Sequence, residues 1–238
     1  LLDSRKDFSY EVVDNLETNF LINKLRDCDA VSLKTSKLDA NLINTANKLK
    51  IISRHGVGCD NVDLEAVKKK KIILSITTNA NATTVAEHVF FMMLSISKGI
   101  DNYDKKVKDG KFLDRKNLKL SKELWNKNIL IARFGRVGKN LIKRCIGFDM
   151  NTFVYDPFVD KKTISSLGGK KVDNFQNIIQ EMDYVSLHMP LTDKTKNLVN
   201  IKVLGSMKKN SIIINTSRGG IINETDLDEA LNKSMIFG

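Results

Sequence analysis

The chain lacks any apolar run near the about 18 residues needed to cross a membrane, and its longest candidate is only Val89 to Ile96. It has no basic start followed by an apolar core, as a secretory leader would have, so no membrane partner is expected and a soluble, cytoplasmic protein is the default. Cysteine is scarce: Cys28, Cys59 and Cys145 are odd in number, widely spaced and without a CxxC pair. That excludes a disulfide framework and a zinc ribbon, and the three read as reduced, mostly buried thiols with no metal site. Internal repeats and low-complexity stretches are absent as well. The chain also lacks a concentrated basic stripe, although 39 Lys+Arg against 28 Asp+Glu give a formal charge of +11. Its lysines fall in scattered pairs such as Lys161-Lys162, Lys170-Lys171 and Lys208-Lys209, with a run Lys68 to Lys71 at an expected helix end. That distribution reads as solvated faces and not as a nucleic-acid surface.

What remains is globular in composition, 42% hydrophobic and 28% charged over 238 residues, enough for one large or two ordinary domains. The chain starts at Leu1 without an initiating Met and stops at Gly238, and both ends read as cuts.

The densest signal runs from Ile129 to Pro157. An apolar strand, Ile129 to Ala132, leads into a turn with Gly135 and Gly138, then a helix, then a second strand ending at Asp156. This order suits a nucleotide-binding βαβ unit: the glycines let a pyrophosphate approach the amides at the helix start. Asp156 stands 18 residues beyond Gly138, near the usual offset of about 20 for a carboxylate that binds the ribose hydroxyls.

Strand and helix alternate on both sides of this unit. Upstream, strands are expected at 29–33, 49–54 and 72–76, with helices at 38–47 and 63–70 and a glycine turn at Gly56-Val57-Gly58. Thr84 to Glu87 has the form of a capping box, and Val85, Val89, Met92, Met93, Ile96 and Ile100 follow at helical spacing, with the methionines read as core. Residues 101–122 are polar and read as the crossing between two units. Downstream, helices are expected at 161–167, 175–181, near Val203 and at 224–232, with strands near Lys171, at 184–188 and at 211–215. The fold class is therefore α/β, a doubly wound parallel sheet with a smaller α/β unit before it. Ligands in such sheets bind beyond the carboxyl ends of the strands, which puts the loops His188-Met189-Pro190 and Asn215 to Gly220 toward the nucleotide.

Four segments in order, Arg54 to Asp63 (RHGVGCDNVD), Asn81 to His88, Phe134 to Pro157 and Asp183 to Gly220, resemble the D-isomer-specific 2-hydroxyacid dehydrogenase family, most closely its D-3-phosphoglycerate dehydrogenase-like members. The resemblance implies a flavodoxin-like substrate domain over 1–98, N-terminally incomplete, and a Rossmann NAD-binding domain over 99–238, C-terminally incomplete. It implies hydride transfer between NAD and C2 of a small 2-hydroxy or 2-keto acid, and a homodimer. Arg218 matches the catalytic arginine, whose planar fork suits a carboxylate and a polarised carbonyl. Val57 and Gly58 would offer amides to the substrate carboxylate, and Arg54 matches a contact to a distal phosphate. Thr77, Gly135, Arg136, Val137, Gly138, Asp156, His188, Met189, Pro190, Thr216 and Ser217 fall where the family touches NAD. Asp156 argues against NADP, because its charge would oppose a 2′-phosphate.

Departures are equally specific. The fingerprint reads Arg133-Phe134-Gly135-Arg136-Val137-Gly138, with Arg133 in place of the first glycine, and Asp149 and Thr78-Asn79 also depart from the family pattern. None of His55, His88 or His188 occupies the place of the family's acid, whose glutamate and histidine are expected beyond Gly238. The 238-residue chain is therefore expected to be inactive by itself, and the alternatives of a non-catalytic dinucleotide-binding relative or a decayed fragment stay open.

Overall fold

The computed structural model describes residues 4–117 and 121–238, with backbone only for residues 115–117. The chain divides into two compact units, Leu1–Asn81 and Ala82–Gly238. Compactness divides the chain at Asn81, whereas the expected boundary at residue 98 was one of role; the helix that follows Asn81 packs within the second unit.

In the first unit, helix α1 (Thr18–Leu25) precedes strand β1 (Ala30–Leu33), helix α2 (Ala40–Thr45), strand β2 (Ile51–Arg54), helix α3 (Leu64–Lys69) and strand β3 (Ile73–Ile76). The strands form a parallel sheet in the order β1-β2-β3, with Leu33 level with Arg54 and Arg54 level with Ile76. Helices α2 and α3 start where a side-chain oxygen takes an otherwise unpaired amide: Asp39 accepts from Leu42 and Asp63 from Ala66. The lysine run has a structural member, since Lys70 Nζ donates to the carbonyls of Ile43, Asn44 and Ala46 at 2.8–3.0 Å and so closes the end of α2.

In the second unit, α4 (Ala82–Lys98) and α5 (Ile100–Lys108) lead to β4 (Asn128–Ala132), α6 (Arg136–Gly147), β5 (Asn151–Tyr155), α7 (Lys161–Ser166), β6 (Lys170–Val172), β7 (Tyr184–Leu187), α8 (Ile201–Ser206), β8 (Ile212–Asn215) and α9 (Glu224–Asn232). Three expectations are corrected. Helix α4 begins at Ala82, so Thr84 sits inside the first turn and not at its cap. It also stops before Ile100, because Gly99 takes φ 61 and restarts the chain as α5, so the crossing at 101–122 is largely helical where described; residues 118–120 lie outside the described residues. The helix expected over 175–181 is two 3₁₀ turns, Phe175–Asn177 and Ile179–Glu181, the first tightened by Asn174, whose side chain accepts from the Gln176 amide.

The five strands are parallel in the order β6-β5-β4-β7-β8. The direction of winding reverses between β4 and β7, the switch point at which such sheets bind ligands. Alternation along β4 shows why its sequence is continuously apolar. Ile129 and Ile131 enter a core with α4 and α6, while Leu130 and Ala132 enter a second core with α8 and α9 on the opposite face. Among the described residues, no helix is long and apolar enough to cross a membrane.

Candidate functional site

Strand register brings the sequence-predicted residues to one edge. Tyr155, Ala132, Leu187 and Asn215 are level across β5, β4, β7 and β8. The next residue in each strand is Asp156, Arg133, His188 or Thr216, so four distant segments reach the same sheet edge. Two hydrogen bonds continue the row, Arg133 N donating to Tyr155 O at 2.7 Å and His188 N to Ala132 O at 2.9 Å.

The fingerprint turn follows Arg133. A Cβ on Gly138 would meet Arg133 O at 2.6 Å, so only glycine lets α6 lie this close to the end of β4. Gly135, the residue before α6, faces open space, and no side chain caps the helix there. With no capping side chain, the positive end of the α6 dipole is open to an anionic group. Arg136 is exposed and Val137 packs partly on the first core. Arg133 takes φ 81, a left-handed conformation suited to the glycine it replaces.

Asp156 is buried at 4% exposure, and its carboxylate accepts from Phe134 N at 2.8 Å and Phe158 N at 2.9 Å. The acid therefore ties the fingerprint turn to the end of β5. A carboxylate has about four acceptor sites, so capacity for a ribose hydroxyl remains.

His188 pairs its Nε2 with Ser186 Oγ at 2.9 Å, and burial pushes the imidazole down to about 4, so it is neutral near pH 7. Met189 is 6% exposed with its side chain in the second core, which leaves only its backbone to meet a ligand. Pro190 is exposed, and its carbonyl accepts from Thr195 Oγ1.

After β8, Thr216 holds a buried hydroxyl oxygen with no partner, a polar group that a ligand would satisfy. Ser217 donates through N and Oγ to Asn215 Oδ1, and half-buried Arg218 donates from Nη1 to Ser217 O at 2.7 Å. The glycine turn, the bare helix start and the orphaned hydroxyl all fit a bound dinucleotide. Ser186 has no role in the sequence expectations and Asn215 enters them only as the first residue of a loop facing the nucleotide, although both stand at or next to the last residue of strands that carry the site.

The first unit holds the other predicted residues. Gly56 takes φ 141, and a Cβ there would coincide with the Arg54 guanidinium, which lies over the turn and donates to His55 O at 2.9 Å. Arg54 Nε is buried without a partner. Val57 is 42% exposed and Gly58 half-buried. Thr77 also belongs to this unit, its amide donating to Gly56 O at 3.1 Å, which steadies the glycine turn.

Residues 90–238 match the family "D-isomer specific 2-hydroxyacid dehydrogenase, NAD binding domain". The chain is 37% identical over 227 residues to D-3-phosphoglycerate dehydrogenase of Methanocaldococcus jannaschii, covering 95% of this chain and 43% of that protein. It is 34% identical to hydroxypyruvate reductase of Thermotoga maritima, covering 94% and 71%. Among solved structures, D-lactate dehydrogenase from Aquifex aeolicus, in complex with NAD and lactic acid, superposes with a TM-score of 0.82 at 27% identity, covering 91% of this chain and 65% of that one. The chain spans less than half the length of the curated phosphoglycerate dehydrogenases that it matches.

Proposed function

The chain belongs to the D-isomer-specific 2-hydroxyacid dehydrogenase family, and from that membership we propose that it carries the NAD site and part of the substrate site of an oxidoreductase moving a hydride between nicotinamide and C2 of a D-2-hydroxy acid or its 2-keto acid. The observation that carries this reading is the level row ending at Asp156, Arg133, His188 and Thr216, with Arg218 two residues further on.

When bound, NADH supplies the hydride. The start of α6 would take the pyrophosphate, and Asp156 the ribose hydroxyls. Arg218 would orient the acid and draw electron density toward the carbonyl oxygen as C2 receives hydride. His188, neutral and engaged with Ser186, is not the imidazolium that a general acid needs at neutral pH and serves the cofactor edge instead.

In the first unit, the amides of Val57 and Gly58 would hold the substrate carboxylate. Arg54, with its buried unpartnered Nε, suits a second anionic group, which favours a phosphorylated acid such as 3-phosphoglycerate. Exposed Phe91, Ile146 and Phe148, on or beside α4 and α6, support a homodimer through the second unit. The reading places the enzyme in the cytoplasm. A second reading, a dinucleotide-binding relative without turnover, draws on the left-handed Arg133.

The test is turnover by the full-length protein of NADH with hydroxypyruvate, glyoxylate, pyruvate and 3-phosphohydroxypyruvate. The reading expects kcat of about 1 to 10³ s⁻¹ with at least one acid and the highest kcat/KM for the phosphorylated one. NADH binding without oxidation by any of the four would favour the second reading.

A further inference from the structure

We propose that Asn215 is the positioning residue for Arg218, stapling the turn that carries the guanidinium to the end of β8. The inference rests on the reading of Arg218 as the group that holds the acid.

Both ends of the Asn215 amide are committed. Oδ1 accepts from Ser217 N at 3.0 Å and Ser217 Oγ at 2.7 Å, and Nδ2 donates to Arg218 O at 2.7 Å. The orientation is fixed by chemistry, because a backbone N–H can only donate and a carbonyl can only accept. The loop answers in kind: Arg218 Nη1 donates to Ser217 O at 2.7 Å. Four hydrogen bonds thus close within Asn215 to Arg218, and they lock both the backbone of the turn and the origin of the Arg218 side chain.

Asn215 is itself anchored. It is the last residue of β8 and pairs with Leu187 of β7, whose backbone continues into His188. The staple therefore refers the guanidinium to the rigid sheet and not to a free loop. An asparagine is needed at this place: aspartate keeps the two Ser217 bonds but presents an acceptor to the Arg218 carbonyl, and alanine loses all three side-chain bonds.

The experiment compares the full-length protein with Asn215→Ala and Asn215→Asp. It reads kcat and KM for the keto acid, NADH affinity from nicotinamide fluorescence, the affinity of oxalate for the NADH complex, and the melting temperature. Displacing a substrate-orienting group by about 1 Å costs on the order of 10²-fold, so both variants should lose about 10- to 100-fold in kcat/KM and at least about tenfold in oxalate affinity. NADH affinity, to which the released Ser217 contributes, should fall clearly less than oxalate affinity, and the melting temperature should stay within a few degrees, with Asp no better than Ala. Unchanged kcat/KM and oxalate binding would overturn the inference. So would NADH affinity and melting temperature falling in step with activity, since that marks a merely structural residue. If the unsubstituted protein neither turns over nor binds oxalate with NADH, the proposed function itself fails and this inference falls with it.

Discussion

A Cβ placed on Gly138 would stand 2.6 Å from the carbonyl oxygen of Arg133 and 3.1 Å from Ile131 Cγ2, so helix α6 is seated against the end of β4 with no room for a methyl group. Gly138→Ala should destabilise the protein by about 1–3 kcal/mol and weaken NADH binding, because the helix start must move away from the strand. Gly135 faces open space, so Gly135→Ala should leave stability within about 0.5 kcal/mol while still weakening NADH binding. Urea unfolding and NADH titration of both variants check the contrast, and equal stability losses would contradict it.

Arg133 holds φ 81, where a non-glycine residue costs roughly 1–2 kcal/mol. Arg133→Gly removes that strain but adds freedom to the unfolded chain, for a net gain of about 1 kcal/mol. The unfolding midpoint should rise, and NADH affinity should rise with it as the side chain leaves the fingerprint turn. A lower midpoint would show that the arginine is held by favourable contacts.

Burial lowers His188 from its ordinary 6.5 to about 4, and this depression sets a pH window. As pH falls below about 6.5 the unfolded chain takes up a proton that the folded chain refuses until about 4, so the contribution is complete above 6.5 and is lost on the way down to 4. Its size is on the order of 2 kcal/mol after allowing for partial solvent access. Wild-type protein should therefore lose more stability than His188→Gln between pH 7 and pH 4. Parallel curves from thermal melts would contradict the assignment.

Cys145 is wholly buried and burial pushes its thiol up to about 12, whereas Cys28 and Cys59 are half-buried. Iodoacetamide at pH 8 should label Cys28 and Cys59 in the native protein and reach Cys145 only on unfolding. Peptide mass mapping reads the result directly.

The sheet was legible where burial dictates composition. The run Ile129 to Ala132 had to be continuously apolar because both faces of β4 are covered, and Gly138 had to be glycine because a strand lies beneath it. Short segments with little burial were not legible. Helix α1 is only eight residues long, helix α5 of the crossing buries no side chain, Thr84 mimics a cap two residues inside the helix, and Phe175 to Glu181 has helical spacing but only 3₁₀ turns. At the site, the offset from the glycine turn pointed to Asp156, and the family resemblance pointed to Thr216. Spacing could not reveal that Asp156 binds two amides, that Arg133 is left-handed, or that Asn215 staples the turn of Arg218, because these depend on backbone direction at strand ends.

The central claim is hydride delivery to C2 at this site. Incubating the full-length protein with hydroxypyruvate and NADH carrying deuterium at both C4 positions, then resolving the product on a chiral column with mass detection, tests it directly. The account predicts D-glycerate carrying one deuterium at C2, with the label lost when Arg218→Ala is used; an L-product, or no deuterium transfer with any 2-keto acid, would contradict it.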